Sequence, residues 1–205
     1  MITFDCQRCR LHETAEQVVN PDGARHSILA VGEGPGAIED DYGVGFVGTA
    51  GQTLEREIRA VAGLGRQQWA RANIVRCRPP DNRKPRTDEV SACAGWLDAA
   101  IDGMAPRVIL AVGESAGRKL ANARIRKGTA YLGQVHQLLS GLNPDAGFIR
   151  HLPHYRQVPV VPMPHTSGLA WNRRYRPPES PGDSRAIAEL GRDAILAAYH
   201  ILRGQ

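Results

Sequence analysis

An α/β fold, a three-layer α/β/α sandwich around a central four-stranded parallel sheet, is predicted for this 205-residue chain by three observations. Four short apolar runs rich in β-formers alternate with stretches of helical periodicity. Each run ends in a polar, Gly-rich or Pro-rich turn, as the carboxyl ends of buried parallel strands do. No low-complexity segment or linker divides the chain, so residues 1–205 are read as a single domain.

The elements follow in order. Ser27 to Val31 is the first strand, closing in Gly32-Glu33-Gly34-Pro35-Gly36, and Thr49 to Ala62 follows as a helix. Ala72 to Arg76 is the second strand and runs into Cys77-Arg78-Pro79-Pro80-Asp81-Asn82-Arg83. From Asp88 to Gly103 the period is helical again, with Thr87 a suitable N-cap and Asp88-Glu89 set where the helix dipole favours acid. Arg107 to Val112 is the third strand; it ends in Gly113-Glu114-Ser115-Ala116-Gly117, with a short helix from Ser115 to Leu120. Val158 to Met163 is the fourth, ending in Pro164-His165-Thr166-Ser167-Gly168-Leu169. A last helix spans Asp183 to Leu202, where Ile187, Leu190, Ile195, Leu196, Tyr199 and Ile201 form an apolar stripe and Asp183 or Ser184 serves as cap. Ligands bind beyond the carboxyl ends of such strands, so these four turns concentrate the candidate chemistry.

With 42% apolar and 23% charged residues the composition is that of a soluble globular protein. No apolar run is long enough to span a bilayer, and Met1-Ile2-Thr3-Phe4-Asp5-Cys6 lacks the basic flank and apolar core of a signal peptide. A cytoplasmic protein without a membrane partner is expected. Lys and Arg number 26 against 21 Asp and Glu, a formal charge of +5, and only Lys84, Lys119 and Lys127 are Lys. Codon bias and a need for guanidinium forks on phosphate explain that preference equally well. The charge is concentrated: Gly63 to Thr87 carries six Arg and Lys84 against Asp81 alone, and Ala146 to Pro178 carries five Arg and no acid. Basic stretches beside two strand ends imply a polyanionic partner, most simply nucleic acid.

Cys6, Cys9, Cys77 and Cys93 form a C-x2-C pair with two distant partners, a metal or cluster pattern rather than a disulfide framework. The cysteines alone weigh zinc and iron–sulfur about equally. The third turn fits G-x-S-x-G, the nucleophile elbow of serine hydrolases, with Ser115 as nucleophile, His165 as base and Asp145 a weak acid candidate. Small residues are common at such turns, so a structural role is the stronger expectation for that match. Leu-Ala-Val-Gly-Glu occurs twice, ending at Glu33 and Glu114, and composition does not say which glutamate matters. After His165, the apolar tip of Leu169 and Trp171 lies beside Arg173, Arg174 and Arg176, a pattern that suits equally a loop that enters a duplex while its flanks hold phosphates and a solvated loop with one exposed Leu.

Taken together, Gly32-Glu33-Gly34-Pro35-Gly36-Ala37-Ile38-Glu39-Asp40, Phe46-Val47-Gly48-Thr49-Ala50-Gly51, the Asn73–Arg83 stretch and the four cysteines resemble the iron–sulfur uracil-DNA glycosylases of the thermophile type (family 4). The likeness runs in order from Cys6 to about Leu169. It implies a DNA-repair enzyme that flips uracil, or another damaged base, out of DNA and hydrolyses its N-glycosidic bond. By that resemblance Glu33 orients the attacking water or stabilises the oxocarbenium-like sugar, and His165 hydrogen-bonds uracil O2. Gly34, Phe46 and Asn73 bind the base, Phe46 by stacking and Asn73 by reading its edge. Leu169 fills the vacated stack, Arg83, Arg173 and Arg174 contact DNA, and Cys6, Cys9, Cys77 and Cys93 hold a [4Fe–4S] cluster. Uracil-containing DNA is the implied partner. A serine hydrolase built on Ser115 and a non-catalytic DNA-damage binder are the alternatives.

The chain departs from the family pattern at three places. Thr166 stands where Pro follows the motif histidine, Gly45 where Pro precedes the stacking Phe, and residues from about Leu138 to Gln157 read as an insertion. A related group becomes covalently trapped on uracil-DNA through a histidine in an insert after the second motif. Asn82-Arg83-Lys84-Pro85-Arg86-Thr87 contains no histidine, so ordinary turnover is expected.

Overall fold

A computed structural model describes residues 6–121, 131–140, 151–176, 182 and 184–204. Its centre is a six-stranded sheet in the order β1-β3-β2-β4-β6-β5. The four inner strands are β3 (Ala70–Asn73), β2 (Ile28–Gly32), β4 (Val108–Val112) and β6 (Val158–Met163), all mutually parallel. They are the four strands the sequence predicts. The two extra strands are antiparallel edges of two residues each, β1 (Asp22–Gly23) on β3 and β5 (His154–Tyr155) on β6. Two-residue edges carry no periodicity, which is why only four strands are legible beforehand.

Every residue of β2 and β4 is buried, as a parallel sheet covered on both faces requires. The helix α7 (Ile187–Arg203) lies across β2, β4 and β6 and packs on α2 (Thr49–Ala62) and α5 (Tyr131–Ser140). Helix α3 (Thr87–Met104) packs on β3, and α4 (Glu114–Leu120) on β2, β4 and β6. Ile28, Leu29, Ile109, Leu110, Leu54, Ile58 and Leu190 fill the core. Burying one such side chain contributes about 1.5–3 kcal/mol.

Element boundaries differ from expectation in instructive ways. Strand β3 begins at Ala70, two residues before the predicted run, because Arg71 is buried rather than solvated. Its guanidinium pairs with Asp22 of the edge strand and lies 5.4 Å from the Trp69 ring. Thr87 is the first residue of α3, not its cap; Arg86 precedes the helix and donates its N–H to Glu89 (2.7 Å). The last helix starts at Ile187 because Arg185–Ala186 forms β8, paired with β7 (Arg174–Tyr175). Ser184 is therefore not its cap, and Asp183 lies outside the described residues. Helices α1 (Ala37–Tyr42), α5 and α6 (Gly168–Trp171) are additional.

The stretch read as an insertion is described only at its ends. Its last part is the β5–β6 hairpin, with Arg156 and Gln157 both at positive φ, the geometry of a tight two-residue turn. Arg156 and Tyr155 fasten it to α3 through Asp102 (2.6 Å) and Asp98 (2.8 Å).

Candidate active site

The loops after β2, β3 and β6 meet in one cavity beyond the carboxyl ends of the strands. Glu33, Gly34, Phe46, Asn73, Arg83 and His165, all singled out from sequence, line it together with Val112 and Thr166. Parallel pairing of β2 with β3 sets Gly32 opposite Asn73, so Glu33 and Asn73 leave adjacent strands side by side. A Cβ on Gly32 would lie 2.9 Å from the Phe46 ring, so only glycine lets the two motifs close on each other there.

His165 is exposed at the cavity wall, with its ring packed against Gly113. Desolvation of the ring by the groups around it holds its pKa below the ordinary value, and the opposing pull of the Glu33 charge does not restore it. The Ser167 N–H donates to His165 Nδ1 (3.1 Å). An Nδ1 that accepts leaves the proton of the neutral ring on Nε2, which makes Nε2 a donor. Asn73 is buried, and among the described residues its side-chain amide has no hydrogen-bond partner, so the amide is available to a ligand edge. Phe46 is buried with its ring edge-on to Trp69, centroids 6.4 Å apart. Its backbone sits at φ +57°, costly for a residue with a Cβ. Arg66 holds that conformation by donating to the carbonyls of Phe46 (3.0 Å) and Gly45 (2.7 Å).

Other residues the sequence reading did not assign bind the loops together. Glu39 accepts from the N–H groups of Gly36 (3.2 Å) and Gly48 (2.8 Å), joining the first motif to the second. Thr166 donates to the Ala50 carbonyl (2.8 Å), joining the histidine loop to the segment that carries Phe46. Ser115, the candidate nucleophile, hydrogen-bonds the Glu33 carboxylate and not His165. Asp145, the acid proposed for that hydrolase arrangement, lies outside the described residues.

Leu169 stands on α6 with 81% of its surface exposed, while Trp171 two residues on is buried against Gly191 of α7. The short helix is thus rooted by one apolar side chain and presents the other outward. Arg173 and Arg174 follow and are exposed; Arg174 also hydrogen-bonds Ser184. Arg83 lines the cavity mouth with its guanidinium on Glu89 (2.6 and 2.9 Å).

The four cysteines line a second cavity with Leu11, Val75, Arg8 and Arg76. Cys77 and Cys93 are buried, and burial pushes the Cys77 thiol up to about 12, with Cys93, Cys6 and Cys9 adding to the effect. No disulfide joins these cysteines. Among the described residues no three Cys, His, Asp or Glu are set to hold a metal ion. Arg76 lies 4.1 Å from the Trp96 ring, and Arg76 Nε, Arg76 Nη2 and Trp96 Nε1 are buried with no hydrogen-bond partner. Burial acts to raise the Cys6 thiol pKa, yet the Arg8 backbone N–H, Trp96 and Arg76 hold it below its ordinary value. Soft sulfur donors ringed by an uncompensated cation and unpaired N–H groups fit an anionic thiolate-bound group. Among the described residues no helix is long and apolar enough to cross a membrane.

Type-4 uracil-DNA glycosylases match from Sulfurisphaera tokodaii (41% identical over 111 residues, 54% of this chain and 50% of the relative) and Thermotoga maritima (39% over 128, 59% and 66%). One from Pyrobaculum aerophilum is 36% identical over 140 residues, 64% of this chain and 71% of the relative. The chain spans about half the length of the first of these relatives. A family profile described as the uracil DNA glycosylase superfamily matches residues 18–188, which includes every loop of the cavity, and the chain belongs to that superfamily.

Proposed function

We propose that this protein is a monofunctional type-4 uracil-DNA glycosylase acting in the cytoplasm, which extrudes uracil from DNA and hydrolyses its N-glycosidic bond to leave an abasic site. The observation that carries the reading is the convergence of Glu33, Phe46, Asn73 and His165 on one cavity at the strand ends. The flipped uracil stacks on Phe46 and passes over Gly34. Asn73 pairs with its edge; uracil and cytosine exchange donor and acceptor at position 4, so one oriented amide separates them. As the C1′–N1 bond breaks, charge grows on the base, and the neutral His165 donates from Nε2 to O2. One such preorganised donor contributes about 3 kcal/mol. Glu33 steadies the cationic sugar and orients the water, whose oxygen joins C1′ as the new hydroxyl with one hydrogen while its other proton goes, through solvent, to the departing base.

Leu169 enters the vacated stack, and Arg173 and Arg174, with Arg83 at the cavity mouth, meet the backbone phosphates. Cys6, Cys9, Cys77 and Cys93 hold a [4Fe–4S] cluster, which when bound supplies a cross-link between the N-terminal segment, the loop after β3 and α3. The unpaired donors of Arg76 and Trp96 support it. The hydrolase alternative is not favoured, because the Ser115 hydroxyl is engaged by Glu33.

A single-uracil oligonucleotide, treated with protein and then alkali, tests the reading. Strand scission at the uracil is expected with wild type, and loss of at least about a thousandfold with Glu33→Ala, His165→Ala combined. No scission with wild type, or full activity in the double variant, overturns it.

A further inference from the structure

The turn from β4 into α4 lines the cavity only through Val112, yet it touches both polar groups of the proposed chemistry. Gly113, at φ +85°, packs on His165 so closely that a Cβ there would lie 2.9 Å from the ring. Two residues on, Ser115 reaches Glu33. Gly117 faces the Tyr131 hydroxyl with no room for a Cβ, and that hydroxyl donates to the carbonyls of Gly113 (3.1 Å) and Met163 (2.9 Å). Each position of the G-x-S-x-G match thus has a steric or hydrogen-bonding reason that involves no nucleophile.

We propose that Ser115 is a positioning residue for Glu33, its hydroxyl donating to Oε2 and leaving Oε1 to face the reacting sugar and water. Among the described residues no other side chain hydrogen-bonds Glu33. Glu33 stands in a loop just past the end of β2, and its terminal carboxyl torsion is soft. A hydroxyl fixed at the start of α4 removes that freedom. The carboxylate is then aimed before substrate arrives, and the gain falls on the bond-breaking step rather than on DNA binding. Strand pairing makes the contact dependable, since β2 and β4 are hydrogen-bonded neighbours and Val31 is level with Ala111.

This inference rests on the glycosylase reading, and the test separates the two. Single-turnover uracil excision and KM are measured for wild type, Ser115→Ala, Ser115→Thr, Glu33→Ala and the Ser115→Ala, Glu33→Ala pair, with melting temperatures alongside. Ser115→Ala is expected to slow excision about 10- to 100-fold at unchanged KM, the effect of a lost hydrogen bond to a charged group. Ser115→Thr, which keeps the hydroxyl, recovers most of the rate. In the Glu33→Ala background, Ser115→Ala costs nothing further, since the partner is already gone. A Ser115→Ala rate equal to wild type, an equal penalty in the Glu33→Ala background, or a Thr variant as slow as Ala at unchanged KM overturns the positioning role alone. Absence of excision by wild type removes the glycosylase reading and this role with it.

Discussion

At the scale of single residues, the groups proposed to act on substrate fall in motifs the sequence shows, and the groups that hold them do not. His165 stands out by its place at the end of a buried strand, whereas Glu33, Phe46 and Asn73 are legible only through the family resemblance, since composition does not separate Glu33 from Glu114. Arg66 gives no such signal: within an Arg-rich stretch it reads as one more surface cation, yet it clamps the Phe46 backbone. Ser115 reads as a nucleophile because its motif carries that association, and only its position opposite Glu33 shows the carboxylate as its partner. His165 carries a further expectation. Its folded pKa is lowered, chiefly by desolvation of the ring, so the native state favours the neutral ring while the unfolded chain protonates near 6.5. Below that pH the unfolded state binds more protons, and stability falls as pH drops toward the folded value. Thermal melts from pH 8 to 5 should show wild type losing stability relative to His165→Asn below about pH 6.5. Parallel curves across that range would show that the ring is not held neutral.

At the scale of elements, the long, strongly patterned pieces agree with expectation. Helix α2 falls on Thr49–Ala62 as read, and β6 on Val158–Met163. Discrepancies gather where tertiary partners rewrite polarity, as Asp22 and Trp69 do for Arg71 at the start of β3. Another such partner joins α2 to α7: buried Glu57 accepts from Arg192 (2.8 Å) and Arg56 (3.1 Å). Burial acts to raise the Glu57 pKa, but the two guanidinium groups prevail and hold it below the ordinary carboxylate value. Its contribution is present above that ordinary value and is lost as pH falls through the lowered folded one. Because Arg192 is half exposed, Arg192→Ala should cost only about 1 kcal/mol at pH 7, with its melting curve converging on wild type in acid. A cost unchanged at low pH would assign the loss to packing instead.

At the scale of the molecule, the formal +5 does not describe a free basic surface. Of the six arginines between Gly63 and Thr87, Arg66, Arg71 and Arg76 turn inward onto backbone, aromatic or thiol partners, and Arg83 is paired with Glu89. Three of the seven cations of that stretch are therefore architectural and a fourth is held by a carboxylate, a distinction composition cannot make. Arg76 shows what it does instead: it donates to Asn20 (2.8 Å) with one nitrogen and keeps two donors toward the cysteine cavity. Under the cluster assignment, wild type should carry about four irons per chain. Arg76→Leu should then lose its visible absorbance several-fold faster during chelator dialysis. Iron retention equal to wild type would leave the inward cation without that purpose.

The hydrogen bond from Thr166 to the Ala50 carbonyl has a mechanical consequence. Under the glycosylase reading it yokes the segment that carries Phe46 to the loop that carries His165, so the two walls of the pocket cannot dilate separately. A base with extra bulk would drag the imidazole out of line as it displaced the ring below it. Rejection of such bases would then register in the rate of bond scission more than in the strength of DNA binding.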